Sequence, residues 1–484
     1  TCYTYLGNMD EQLYCEAMTD NAYTKQPNDA TQNIGNGSYS TADPYVKKVW
    51  DGRYTGIRMC NELLENIDRV PDLDPELKKR YIGEAKVLRA YNYYELYTKF
   101  GDIPYTTKVL SIKESMSIAR TAKATVIANV LADLDEVING NYLPTSYDAD
   151  NKGRITRWAA MAIKAKIYLF EGNWTQVKNI TSTIMTEGGF KLFGSYAGLF
   201  EIANEYNSEV ILDAQYRPTS REHQMMYVFL PPTLGGYSQL SPLQELVDSY
   251  IMLDGKTIKE TGTSFDESHP YANRDPRLKA TVMYTGNSYT LADGTEVVIN
   301  CEKGEGKDGY GVGSDCSATG YYIKKYWDNT YRATLYSGLN PILIRYADIL
   351  LMNAEALAEL GELDKTAWDA TIKPIRDRAG FTLASAVEFP EGASKDKLIE
   401  IVRNERRSEL ALEGHRHKDI IRWRIADDVL NGWCHGLKTN EVVGTDNGYV
   451  RVENRAFNAN KHYLWPIPQA ERDLNGNLEQ NPNW

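Results

Sequence analysis

Apolar residues recur at helical spacing through residues 1–190 and 341–484, and that spacing fades in between. Residues 9–24 read as a first helix, followed by a polar loop over 25–43 rich in Asn, Gly, Thr and Tyr. A longer pattern runs from Pro44 to about Ile67 through Tyr45, Val49, Tyr54, Ile57, Asn61 and Leu64. Another begins after Asp74-Pro75, a capping residue with proline at the first helical position, and continues to Phe100. From Asn340 the run NPILIRYADILLMNAEALAELG is apolar on nearly all sides, as a central scaffold helix should be. Pro374 is expected to kink the helix that follows.

A weak repeat emerges when segments are aligned on Gly101, Gly172 and Gly361. Tyr97, Tyr168 and Leu357 stand four residues earlier, and Ile103, Trp174 and Leu363 two residues later. After the second and third glycines new helices follow at once, over 174–185 and 364–378. A glycine cap with an apolar residue just beyond it follows the logic of tetratricopeptide-like helix hairpins, which must stack to bury their faces. Between them, short β-like runs appear at 209–215 and 297–300, and 301–315 is dense in glycine. The predicted fold is mainly α: tetratricopeptide-like hairpins, an α-α superhelix, with an inserted loop-rich region. The expected layout is one domain over 1–484, with a helical part at 1–190, an irregular part at 191–340 and a helical part with a tail at 341–484.

The stretch 398–423, LIEIVRNERRSELALEGHRHKDIIRW, places Leu398, Ile401, Val402 and Leu412 on one face and Gly414 where a left-handed cap would end the helix. Glu405 and Glu409 fall on that apolar stripe, with Glu413 near its edge. Buried carboxylates persist only with partners. Arg403, Arg406, Arg407 and Arg416 are near, and Arg376 and Arg378 precede them. The expectation is a structural ionic clasp built on Glu405, Arg406, Glu409 and Arg416. Catalytic use of the carboxylates is disfavoured, because crowding arginines lower their pKa.

Composition narrows the function. The chain has 484 residues, 42% hydrophobic and 25% charged, an ordinary globular balance. A net charge of −12 without a basic tract argues against nucleic-acid partners. No run of 18 apolar residues offers a membrane span. The start at Thr1-Cys2, without a charged-then-apolar leader, fits a removed signal peptide or a trimmed terminus. Six cysteines show no C-x-x-C pair or metal spacing. Cys301 and Cys316 bracket a loop suited to a crosslink if the protein is surface-exposed. There is no H-E-x-x-H or G-x-S-x-G, His415 and His417 lack a third zinc ligand, and GEGKDGYGVGSD lacks the strand, helix and Gly-Lys-Ser/Thr ending of a phosphate loop. No cofactor or metal is expected, a structural calcium being the one ion left open.

Tyrosine outnumbers phenylalanine 34 to 10, beyond what helix packing needs, and a ring with a polar tip suits a surface that binds polyols. Two patches outside the helical pattern combine aromatics with amides. One holds Asn28, Asp29, Gln32, Asn33, Tyr39 and Tyr45; the other, GYYIKKYWDNTY, holds Tyr321, Tyr322, Tyr326, Trp327, Asn329 and Tyr331. Trp50 and Trp423 lie in helical segments and are expected in the core.

NERRSELALEGHRHKDIIRW resembles the C-terminal signature of SusD/RagB-type glycan-binding lipoproteins, matching at Glu405, Arg406, Arg407, Glu409, Leu410, Ala411, Glu413, Gly414, Arg416, Asp419, Arg422 and Trp423. His417 stands where that family usually has an aromatic residue. LRAYNYYEL running into Phe-Gly-Asp-Ile-Pro, SYIMLDGKTI, RDPRLKATVMYTG and the closing HYLWPIPQAERDLNGNLEQNPNW resemble further family signatures, in family order. The resemblance implies a non-catalytic protein on the outer face of the outer membrane, held by a lipid anchor not present in this chain. It would bind oligosaccharide or polysaccharide and pass it to a SusC-like TonB-dependent transporter. Family members build their glycan platform from the N-terminal loop region and the irregular half, which covers both patches. The rivals are a peptide-binding member of the same family, an intracellular helical-repeat scaffold and a glycoside hydrolase.

Overall fold

The computed structural model describes residues 2–25, 30–331 and 334–484, with the backbone alone for Ala30 and Tyr331. Asn28 and Asp29 lie outside the described residues. Eight helices form the scaffold: Pro44–Asn66, Pro75–Phe100, Lys123–Asn139, Arg157–Phe170, Trp174–Glu187, Tyr346–Leu360, Lys365–Ala379 and Lys395–Glu409. Each packs on the next in an antiparallel row, and Tyr346–Leu360 also contacts the last. Asp74 caps the second helix, accepting from the Leu77 amide at 2.8 Å. Gly101, Gly172 and Gly361 all adopt positive φ (71°, 69° and 73°), as their place at helix ends requires. The row is the helical, tetratricopeptide-like architecture anticipated above, and Trp50 and Trp423 are buried within it.

The row is interrupted between Trp174–Glu187 and Tyr346–Leu360, and the irregular region enters there. Strand Val210–Asp213 pairs antiparallel with Ile342–Arg345 and stitches the two ends of the insertion together. The helical pattern read from Asn340 therefore begins only at Tyr346, because the β-branched run before it completes this pair. Near the N-terminus, 9–24 divides into helix Met9–Tyr14, a 3₁₀ turn Cys15–Met18 and strand Ala22–Thr24. The loop at 25–43 contains helix Ala30–Asn36. A hairpin, Asn431–Lys438 against Tyr449–Ala456, lies in the C-terminal part.

Helix Lys395–Glu409 ends at Glu409, and Leu412 turns back with φ 63° before Gly414 at 79°. Leu398 and Val402 pack with the last helices, while Leu412 joins the core of the insertion. The turn swings Glu413 beside Glu409, and both carboxylates meet Arg345. Arg345 donates to Glu409 Oε1 at 2.6 Å from Nη1, and to Glu413 at 2.8 Å from Nε and 2.7 Å from Nη2. Arg277, from helix Pro276–Thr281 of the insertion, reaches Glu409 at 2.9 Å and Glu405 at 2.7 Å. Arg378 also binds Glu409, and Arg376 Nε donates to Glu405 at 2.7 Å. Arg406 instead joins Asp348 (2.6 Å) and Asp419 (2.8 Å), and Arg416 grips Asp20 with two bonds of 2.8 Å. Glu409 has no solvent exposure. Burial alone would raise its pKa, but Arg378, Arg345 and Arg277 outweigh it and hold the carboxyl well below the usual range.

The same segment carries two half-buried imidazoles. His415 and His417 line a cavity of about 100 Å³ with Gln12, Lys99, Lys166 and Lys418. Burial, reinforced by Lys166 for His415 and by Lys99 and Lys418 for His417, lowers both to about 3. His417 meets the Trp465 ring edge-on at 6.0 Å.

Two outcomes follow. Glu409→Ala takes one carboxylate partner from each of three guanidiniums in a dry site, so stability falls by about 3–5 kcal/mol and thermal melting drops clearly; an unchanged melting temperature would refute the clasp. The unfolded chain protonates its histidines near pH 6.5 whereas the folded chain resists down to about 3, so their neutral burial stabilises fully above that window and less as pH falls through it. His417→Phe keeps the packing and removes one such group. Relative to wild type it should gain roughly 1 kcal/mol at pH 5 over its value at pH 7.5, read by denaturant melts at both pH values.

Candidate functional site

The residues singled out in the two sequence patches do not converge on one surface. Gln32 lies on helix Ala30–Asn36 and donates to the Tyr23 hydroxyl at 3.4 Å, while Asn33 bonds Asp43, the cap of the next helix. Tyr39 is only 5% exposed, its ring set between His462 (5.1 Å) and Trp484 (4.8 Å). Tyr45 is half-buried and lines a cleft of about 400 Å³ with Tyr5, Tyr14, Asn8 and Arg53.

The second patch is mostly interior. Tyr321, Tyr322 and Tyr326 are 2%, 0% and 3% exposed, which leaves no ring face for a ligand and corrects their assignment to a binding platform. Tyr39 is corrected on the same ground. The physical reason is Lys325. Its charge makes the segment look solvated, yet Lys325 is buried, 4.2 Å from the Phe200 ring centre, and donates to Glu413 at 2.7 Å and to the Ala411 carbonyl at 2.8 Å. Burial lowers its pKa to about 8. The clasp thus draws the segment inward, and Tyr326 follows, donating to the Leu412 carbonyl at 2.9 Å. Trp327 is half-buried against Tyr289 and donates to the Thr290 carbonyl at 2.9 Å; Asn329 is exposed. All six cysteines are free thiols in this structure, so the crosslink expected between Cys301 and Cys316 is not formed here, and Cys316 donates instead to the Lys307 carbonyl.

An aromatic surface forms elsewhere in the insertion. In helix Met225–Phe229, Met225, Met226 and Phe229 face the core, and Tyr227 faces outward. The Pro-Pro turn after it reaches Gly235 at φ +87°, and Gly236 packs so tightly that a Cβ would lie 2.1 Å from the Leu230 carbonyl oxygen. The chain then doubles back, Tyr237 N donating to the Tyr227 carbonyl at 2.8 Å. The two rings stack at 5.7 Å and 15°. Tyr336 stands edge-on to Tyr227 at 6.1 Å, held by Leu335, which is buried beneath, and by the Ser337–His223 bridge with both bonds at 2.9 Å. Tyr237 remains 47% exposed and Tyr336 38%, so ring surface is free on a backbone fixed from below. Strand Leu240–Pro242 pairs with Ala22–Thr24, which brings Lys25 alongside.

A second aromatic surface is concave. An open cleft of about 1000 Å³ runs between the turn at Tyr284, the glycine-dense loop at Lys303 and the hairpin at Lys438. Tyr271 and Tyr284 stack at 4.0 Å on its wall, and the Tyr321 hydroxyl, at its floor, donates to Gln244 Oε1 at 2.6 Å. Among the described residues, no set of three His, Cys, Asp or Glu side chains gathers to hold a metal ion. Among the described residues, too, no helix is long and apolar enough to cross a membrane. Sequence reading missed Tyr227, Tyr237 and Tyr336 because MMYVF looks like uniform core; the Gly-Gly-Tyr turn was the available signal.

Comparison with known proteins agrees with this picture. Residues 199–484 match the model of the SusD family, and residues 4–169 match one described as starch-binding, associating with the outer membrane. SusD-like protein P25 of Formosa agariphila is 28% identical over 456 residues, covering 88% of this chain and 80% of that protein. The crystal structure of a SusD-like carbohydrate-binding protein from Bacteroides fragilis superposes with a TM-score of 0.86 at 30% identity, over 96% of this chain and 92% of that one. A laminarin-binding SusD-like protein shares the fold at a TM-score of 0.73 and 23% identity, covering 100% of this chain and 97% of its own. With more than half its length under one family model and both halves matched, the chain belongs to the SusD family.

Proposed function

We propose that this protein, held by a lipid anchor at the outer face of the outer membrane, captures oligosaccharides there and hands them, uncleaved, to a SusC-like TonB-dependent transporter. The observation that carries the reading is the pair of exposed rings Tyr237 and Tyr336 set against half-buried Tyr227 on a packed base. Sugar rings present C–H faces that lie on aromatic faces, and a preformed surface limits the ordering cost of binding. The fit to a starch-binding family model and the carbohydrate-binding relative support a glycan over a peptide. Gln32, Asn33, Tyr45, Trp327 and Asn329 keep part of their surface and are candidates for outer polar contacts.

Binding by a few stacked rings is weak, on the order of micromolar to millimolar, or about 4–8 kcal/mol. Malto- and laminari-oligosaccharides serve as probes in calorimetry. Tyr237→Ala with Tyr336→Ala should abolish the heat of binding while the melting temperature moves little, since both rings are exposed. Tyr284→Ala reports on the concave cleft. Loss of binding in Tyr284→Ala alone moves the site to the cleft, and release of reducing sugar from any probe by the wild-type protein refutes the non-catalytic reading.

A further inference from the structure

The 3₁₀-helix Cys2–Tyr5 crosses one face of the Pro44–Asn66 helix. Gly56 permits the crossing: a Cβ there would lie 2.8 Å from Tyr5 Cβ. Arg53 pins the crossing segment by donating from Nη1 to the Tyr5 carbonyl at 2.9 Å. Positions 53, 56 and 60 share this helix face, and Cys60 meets the start of the crossing segment, where Cys2 stands. Both free thiols are buried in one core, Cys60 completely, and the two side chains lie against each other. Cys15, the next cysteine along the chain, bonds instead to the Gln12 carbonyl.

We propose that Cys2 and Cys60 are a disulfide-forming pair that locks the first segment of the chain to the helical scaffold when the protein matures in an oxidising compartment. The oxidant is a disulfide, small-molecule or protein, met during folding before the pair is enclosed. The Cys2 thiolate attacks one sulfur of the donor and expels the other as a thiolate. Cys60 then gives up its proton, its sulfur attacks Cys2 in the mixed disulfide, and the donor's second sulfur leaves. Two electrons pass to the donor, which departs as two thiols carrying the protons lost by Cys2 and Cys60.

The ring so closed contains strand Ala22–Thr24, which pairs with Leu240–Pro242 directly after Tyr237. The bond therefore restrains the base on which the exposed tyrosines sit. It draws on the proposed function only for the oxidising compartment, and its chemistry can be tested without any glycan.

The test uses the full chain, one sample exported to an oxidising periplasm and purified without reductant, another refolded in glutathione redox buffer. Free thiols are alkylated under denaturing conditions, and the digest is mapped by mass spectrometry. The expected result is the tryptic peptide 59–69 linked to Cys2, with fragmentation excluding Cys15, and alkylation confined to the other four cysteines. Dithiothreitol should lower the melting temperature of wild type by several degrees and leave Cys60→Ser unmoved. Alkylation of both Cys2 and Cys60 in both samples, or a link from Cys60 to Cys15, overturns the proposal and leaves glycan capture standing.

Discussion

Arg345 is the side chain on which the molecule turns. It sits where the last strand of the insertion becomes the Tyr346–Leu360 helix, and its guanidinium is fully buried against Glu209, Glu409 and Glu413. A guanidinium without solvent is costly unless its donors are taken up. Glu209 comes from the entrance of the insertion, Glu409 from the final scaffold helix and Glu413 from the turn after it. One cation therefore fixes three separate segments relative to one another. Arg277 and Lys325 extend the same network into the insertion, so the irregular region is bound to the helices by charge as well as by apolar contact.

That arrangement explains why an irregular region stays ordered. Its sheets are two-stranded and short, too small to stand alone. Its core, around Phe229, Leu246, Tyr250 and Tyr322, closes against Leu412 and Ala411 of the clasp turn. Loss of the turn would expose both the charges and this apolar face at once. A motif of twenty residues is thus spent on one junction, and its carboxylates are engaged by arginines rather than offered to a substrate.

The helical row was largely legible in the sequence, because proline after aspartate, glycine at helix ends and 3.6-residue spacing are local signals. The clasp was legible as a chemical need, since carboxylates on an apolar stripe demand cations, but not as a set of partners. Arg277, Arg345 and Lys325 come from distant segments that no local pattern connects with Glu409 and Glu413. The same blindness put the aromatic patch around position 325 on the surface. Lysine and tyrosine around position 325 read as solvated, and only the buried Glu413 shows why they are not. Conversely, Tyr227 sits in an apolar run, and its outward direction depends on the turn at Gly235 and Gly236.

The division of labour between the two regions sets what each can tolerate. Helix faces in the row are committed to their neighbours, so an exposed ring there would cost packing. The loops that carry Tyr227, Tyr237 and Tyr336 are held by residues beneath them, Leu335, Phe229 and Leu230, whose side chains point away from the surface. Changing the exposed rings leaves that support intact, so the surface can be altered for a different sugar without unfolding the base. A flat surface of this kind gains affinity only from the few faces it offers, which keeps the bound chain easy to release. For the hand-over proposed above, weak binding on a stiff surface is the physically consistent solution.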